Sequence, residues 1–275
     1  METAAPLRVW GISGQELAAI PREQLSTVRA LKQQLQGLCG CSRFRQRLLH
    51  RGVILEDEVR LGRGAEVTDV NLVLLPFCDV SEEQVVRLVR AAGRGSGPQV
   101  EELLQGPQDP NLAPEDFAHN AALTQASRRG HSDIVRLLLE AGARVDESAN
   151  TAMVAAAGEG RADVVRLLLD AGVDKAACVD GGTTVLAAAA RNGHDNIVRV
   201  LLEAGARVDD AANKAMVAAA DVGHADVVRS LLEASADKET RDDRGLTVLA
   251  TAIYRHCRGH PNMVGCLLEA GASVD

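Results

Sequence analysis

Three groups of residues have side chains and spacings that could do chemistry. His256, Cys257, His260 and Cys266 bring imidazole and thiol ligands of the kind zinc prefers into one short stretch. No CxxC pair accompanies them, however. His260 falls at a Gly-His position that recurs along the chain, and Cys266 falls where another segment carries the apolar Leu137, so no metal is expected. Cys39 and Cys41 flank a single glycine and invite a redox reading, but the spacing is not CxxC and no assisting histidine is close in sequence. Arg43, Arg45, Arg47 and Arg51 of "RFRQRLLHR" form a basic stripe. Strand alternation sends the first three to one face, where RNA or an acidic partner could meet them. Phe44 alone gives no stacking platform, and a solvated sheet face is the expectation. Phosphate loop, nucleophile elbow and His-Glu metal helix are all missing from the sequence. A non-catalytic chain with no cofactor is therefore expected.

Composition limits the elements that could position such residues. Hydrophobic residues make up 46% of the 275 and aromatics only 2%, so the core must be built from Ala, Val and Leu, which suits closely spaced helices. The net charge of -8 hides a division. Residues 1–76 hold ten Lys/Arg against eight Asp/Glu, which leaves 20 against 30, or -10, on residues 77–275. That surface repels nucleic acid, so protein partners are expected. No apolar run could span a bilayer and "METAAPLRVW" lacks a signal-peptide layout, so no membrane association is expected. Six scattered cysteines fit a reducing compartment without disulfides. The expectation is an intracellular, cytoplasmic monomer, with the nucleus left open.

The chain repeats itself. "TAMVAAAGEGRADVVRLLLDAG" (151–172) returns as "KAMVAAADVGHADVVRSLLEAS" (214–235), and the anchors Val135, Val165, Val198, Val228 and Val264 recur at steps of 30, 33, 30 and 36. Each unit holds an Ala-rich helix, a glycine turn at Gly130, Gly160, Gly193 or Gly223, and a second helix. In that second helix Ile134, Val135, Leu137 and Leu138 form the apolar face, while Arg136 and Glu140 look outward. His131, His194 and His224 read as stabilisers of the turns.

These units resemble the ankyrin repeat, most clearly in "DGGTTVLAAAARNGHDNIVRVLLEAGA" (180–206) and "DRGLTVLA" (243–250). The family's Pro and His of the first helix are replaced by Val185 and Ala187. The resemblance implies β-hairpin fingers, shorter at 147–150 and 210–213, where the units lose three residues, than at 180–183 and 242–246. The last unit gains three residues in "YRHCRGH", which would lengthen its turn. "LVRAAGRGSGPQVEELLQG" (88–106) reads as an N-terminal capping repeat. At the other end, either the helix before Asp275 is an improvised cap or the chain is part of a longer one. By motif position the partner-binding groove would use Arg128, Arg129, Glu159, Arg191, Asn192, Asp221, Tyr254 and Arg255, with Asp180, Asp243 and Arg244 on fingers. Their charges alternate in sign along the stack; register with a partner and plain solubility both account for that.

Before the cap, "LRVWGISGQELAAI" (7–20) reads as a strand pair, "STVRALKQQLQGL" as a helix capped by Ser26 or Thr27 with Val28, Leu31, Leu35 and Leu38 on one side, and "NLVLLP" (71–76) as a last strand. "QRLLHRGVILEDEVRL" resembles the ubiquitin-like family. That resemblance implies a small grasp fold and an apolar docking patch of Ile12, Leu49 and Val73. An ordinary core role for the three is the other reading. No terminal Gly-Gly occurs and Pro76-Phe77 runs on, so conjugation is not expected.

The fold class expected is α+β: a ubiquitin-like β-grasp over 1–77, then an α-helical ankyrin solenoid over 78–275, with its cap at about 81–110 and five repeats. By resemblance, this implies an adaptor linked to ubiquitin or proteasome regulation. A plain scaffold, or a fragment of a larger enzyme, are the alternatives.

Overall fold

The computed structural model describes residues 5–62, 65–114, 121–179, 182–241, 244–254 and 261–272. Its first part is a five-stranded sheet of β1 (Leu7–Gly11), β2 (Glu16–Ile20), β3 (Gln46–His50), β4 (Val53–Ile54) and β5 (Asp69–Leu74), ordered β2-β1-β5-β3-β4. The central strand β5 runs parallel to β1, and the other pairs are antiparallel. The last strand lies two residues earlier than the sequence pattern suggests. Helix α1 (Val28–Cys39) starts where the Thr27 hydroxyl accepts from the Ala30 N–H, and it stops at Gly40 in the left-handed region. Strand alternation turns Leu7, Val9, Leu48, Val70 and Leu72 inward, where they meet Val28, Leu31 and Leu35 in one apolar cluster. Leu38, expected on that same side, is instead exposed at the end of the helix.

Six helix pairs follow: α2 (Glu82–Arg94) with α3 (Gly97–Gln105), α4 (Ala122–Arg129) with α5 (Ser132–Ala141), α6 (Glu147–Gly158) with α7 (Ala162–Asp170), α8 (Val185–Arg191) with α9 (Asp195–Glu203), α10 (Asp210–Val222) with α11 (Ala225–Glu233), and α12 (Val248–Tyr254) with α13 (Pro261–Glu269). First helices pack on first helices and second on second, giving an inner and an outer row. A single apolar cluster runs through all six pairs, from Leu88 to Ala272. The inner contribution is mostly alanine, as in Ala187, Ala189 and Ala190 of α8, and small side chains let backbones approach closely.

The finger expectation fails in two places. Residues 147–150 and 210–213 are helical and form no finger. Losing three residues removes the turn, and the freed segment has helix-forming chemistry. Asp146 accepts from the Ser148 N–H at 3.0 Å, Asp209 accepts from the Ala212 N–H at 2.7 Å, and alanines follow with neither Gly nor Pro to interrupt them. The Ser148 hydroxyl donates to the same carboxylate at 2.8 Å and holds the Asp146 carboxyl below its ordinary value. A true finger stands before α8, as β6 (Cys178–Val179) paired with β7 (Thr183–Thr184), and an Arg241–Thr247 bridge marks the one before α12. The lengthened last turn, expected within 254–260, lies mostly outside the described residues.

Consecutive pairs are keyed by one repeated contact. Gly160 sits at φ +74°, and a β-carbon there would come 2.8 Å from Cε1 of His194 in the next pair. That ring packs against the glycine turn, and its Nε2 donates to the Gly158 carbonyl at 3.0 Å. His131 does the same over Gly95, donating to Gly93 O at 3.3 Å, and His224 packs on Gly193. Arg161 takes the histidine's place over Gly130, its Nε donating to Arg128 O at 3.3 Å. At the opposite end of the pairs, Lys175 and Lys238 each donate to the last carbonyls of the following outer helix, at Ala204 and Ala270.

The sheet is locked to the helices by arginines, and here the expectation of a solvated stripe fails for Arg43, Arg45 and Arg47, while Arg51 is exposed. Arg43 and Arg45 lie in a 3-10 turn before β3, where alternation does not apply. Arg43 is only 2% exposed. Its guanidinium donates to Asp57 at 3.2 Å, Glu101 on α3 at 3.0 Å and Glu140 on α5 at 3.1 Å, and it lies over the Phe44 ring. Phe44 itself is buried in the helical cluster. Lys32 meets Asp57 at 2.6 Å and Arg29 meets Glu101 at 3.0 Å, so three cations are set against three carboxylates. Arg47 donates to Gln105 O at 2.7 Å, and Arg45 donates to Leu75 O while stacking on Phe77.

Two outcomes are expected. Arg43→Met strands the facing carboxylates and should cost about 3 kcal/mol in urea unfolding, against under 1 kcal/mol if the arginine were a surface residue. Gly160→Ala should cost roughly 2–3 kcal/mol, whereas Gly172→Ala, at φ +92° with open space around it, should cost about 1 kcal/mol. Equal losses would show that the His194 ring yields freely.

Candidate functional site

The sequence-derived groove residues fall at equivalent places in successive pairs. Arg128 and Arg129 are the last two residues of α4, Glu159 caps α6, Arg191 ends α8 with Asn192 capping it, and Asp221 lies one residue before the end of α10. The glycine turns put all of these at the C-terminal ends of the inner helices, along one edge of the stack. Rungs of such a stack are spaced by the helix packing distance, roughly 8–10 Å. Arg128, Arg129, Glu159, Arg191 and Asn192 are exposed and Asp221 is half-buried. Asn192 is partly committed to structure, since its Nδ2 donates to Ala188 O at 2.9 Å. Arg244 is exposed beside the Arg241–Thr247 bridge. Tyr254 ends α12, but its side chain lies outside the described residues, as do Asp180, Asp243 and Arg255.

The order of signs is informative because of where these side chains stand. A helix C-terminus carries about half a negative charge, which favours a cation and opposes an anion. Arg128, Arg129 and Arg191 gain from that position, whereas Glu159 and Asp221 stand against it. Helix stability therefore accounts for the basic rungs and not for the acidic ones.

One part of this edge was not legible as a site. Between α2 and α4 lies a cleft of roughly 850 Å³ lined by Val86, Val89, Arg90, Arg94, Arg129 and Arg161. Glu82 is the one carboxylate among the described lining residues. The i, i+4 spacing of Arg90 and Arg94 is the cleft's one signal in the sequence, and a polar capping helix carries the same pattern.

On the sheet, Ile12, Leu49 and Val73 are not core residues. Ile12 is 78% exposed and the other two are half-buried. Leu49 and Val73 sit on adjacent strands of the face away from α1, where Arg47 pairs with Val73 and Leu49 with Asn71, and Ile12 lies in the turn just past β1. Exposed Ile54, the partner of Leu49, extends the apolar surface.

As for other chemistry, no three metal-binding side chains converge among the described residues. His256, Cys257, His260 and the Cys266 side chain lie outside them. Burial pushes the Cys41 thiol up, which disfavours the reactive thiolate. No described helix is long and apolar enough to cross a membrane.

Comparison with known proteins agrees with the repeat. No curated protein matches this chain. The family model for ankyrin repeats matches in three copies, over residues 88–178, 151–212 and 186–275. These matches cover well over half of the chain and run through all six helix pairs, whose inner and outer rows and glycine turns are already explained by their own packing; the chain belongs to the ankyrin-repeat family, a protein-interaction module.

Proposed function

We propose that this chain is a non-catalytic adaptor in two parts. Residues 78–275, capped at about 81–110, grip one protein along the edge of inner-helix ends, and residues 1–77 form a ubiquitin-like domain that offers its outer sheet face to a second. The observation that carries the reading is the alternation Arg128/Arg129, Glu159, Arg191, Asp221, whose acidic members stand where helix electrostatics disfavours them. A partner with the complementary order of charges would be steered to the edge and held in one register.

The ubiquitin-like part of the reading is supported by the β2-β1-β5-β3-β4 order with one helix across it and by the position of Ile12, Leu49 and Val73 outside the core. The strand end passes directly into the repeats without a terminal Gly-Gly, so this domain serves as a docking surface and is not conjugated. Two partners held on one chain see each other at a raised effective concentration, which suits delivery of a groove-bound client to ubiquitin or proteasome machinery.

Quantitative affinity capture from cells tests both surfaces at once. Arg128→Glu with Arg129→Glu and Arg191→Glu should deplete one set of partners at least tenfold while the helical circular dichroism is kept and the unfolding midpoint falls only by the loss of favourable helix-end charges. Leu49→Ala with Val73→Ala should deplete a different set that includes ubiquitin-pathway proteins. Retention of every partner by the first variant refutes the groove; retention by the second leaves a plain scaffold.

A further inference from the structure

We infer that the cleft between α2 and α4 is a binding site for a short acidic peptide segment that carries an apolar side chain. The inference rests on the groove reading and names the chemistry of what enters its first rung. Four arginines, Arg90, Arg94, Arg129 and Arg161, line a cavity that also presents Val86 and Val89. All four arginines are exposed, and among the described residues no carboxylate lies within ion-pair distance of any of them. A positive cleft on a part of the chain that carries -10 is a local exception to its own surface, maintained by residues from three consecutive repeats.

Arg161 is the telling member. The other described turns carry His131, His194 and His224 over the preceding glycine, and a ring would satisfy the packing here too. Arg161 keeps the packing through its aliphatic stem on Gly130 and keeps a hydrogen bond through Nε, leaving the rest of a permanently charged guanidinium on the cleft.

The helix geometry selects the kind of anion. Arg94 ends α2 and Arg129 ends α4, so the backbone presents carbonyl ends to this region, which repel a compact anion seated against the main chain. Long side chains must reach out to meet the charge, which suits carboxylates spaced along an extended segment. Nucleic acid fits less well, because the described lining residues include no Phe, Tyr or Trp on which a base could stack and the surrounding chain is acidic. Apolar Val86 and Val89 give an anchor residue a place to lose water. Arg129 belongs both to this cleft and to the proposed edge, so the cleft forms the first rung of the groove.

The test is selection of a random dodecapeptide display library on the full chain. Enriched peptides should be net acidic with at least one large apolar residue. A synthetic copy of the strongest, measured by fluorescence anisotropy, should lose at least tenfold affinity on Arg90→Glu with Arg94→Glu, weaken with added salt, and change less than twofold on Arg191→Glu. Both variants alter exposed side chains, and unchanged helical circular dichroism with cooperative unfolding verifies their folds. An enriched pool without acidic bias, equal binding to the Arg90/Arg94 variant, or tighter binding of a 12-base-pair duplex overturns the inference. Loss on Arg191→Glu alone also overturns it while leaving the groove intact, and failure of the groove is read separately from the capture experiment.

Discussion

Alanine has little surface to bury, so a helix whose inner side is Ala187, Ala189 and Ala190 gains stability only if a neighbour approaches near enough to exclude water from all of it. That requirement organises the repeat region. Close approach demands turns without side chains, which Gly95, Gly130, Gly160 and Gly193 provide, and it leaves a gap above each glycine that a ring or an arginine stem from the next pair fills. The same histidine nitrogens satisfy carbonyls at the ends of the preceding inner helices. At the junctions made by His131, Arg161 and His194, packing and polar satisfaction are thus solved by one contact, and the junction fixes where the exposed residue just before the turn will stand.

Features set by neighbours in sequence could be read from it. The helix pairs, the Gly-His turns and the positions of Arg128, Glu159, Arg191 and Asp221 follow from a local period. At 147–150 and 210–213 the family pattern points to fingers, but the local signal there, an Asp cap before an alanine run, wins and the segments are helical. Leu49 and Val73 were undecided because alternation assigns a shared face without saying which face the helix covers.

Arg43 was illegible for a different reason. Its partners Glu101 and Glu140 lie 58 and 97 residues away, so no window around "RFRQR" contains the carboxylates that bury it. Alternation was also the wrong rule there, because the turn before β3 is a 3-10 segment. The cationic cleft escaped for a related reason: Arg90, Arg94, Arg129 and Arg161 come from three units and meet only once the stack is built.

The placement of the Arg43 contacts bears on how two surfaces can share one chain. Glu101 and Glu140 lie on α3 and α5, in the outer row, so the sheet docks behind the stack and leaves the inner-helix ends uncovered. A buried arginine answered by three carboxylates is costly to separate. The sheet is therefore held in a fixed orientation to the edge it does not touch, and a protein seated on that edge would stand at a defined position relative to one docked on the Ile12, Leu49 and Val73 face, if both surfaces are used as proposed. A flexible tether would supply proximity alone; this junction adds orientation, which matters when one bound partner must act on the other.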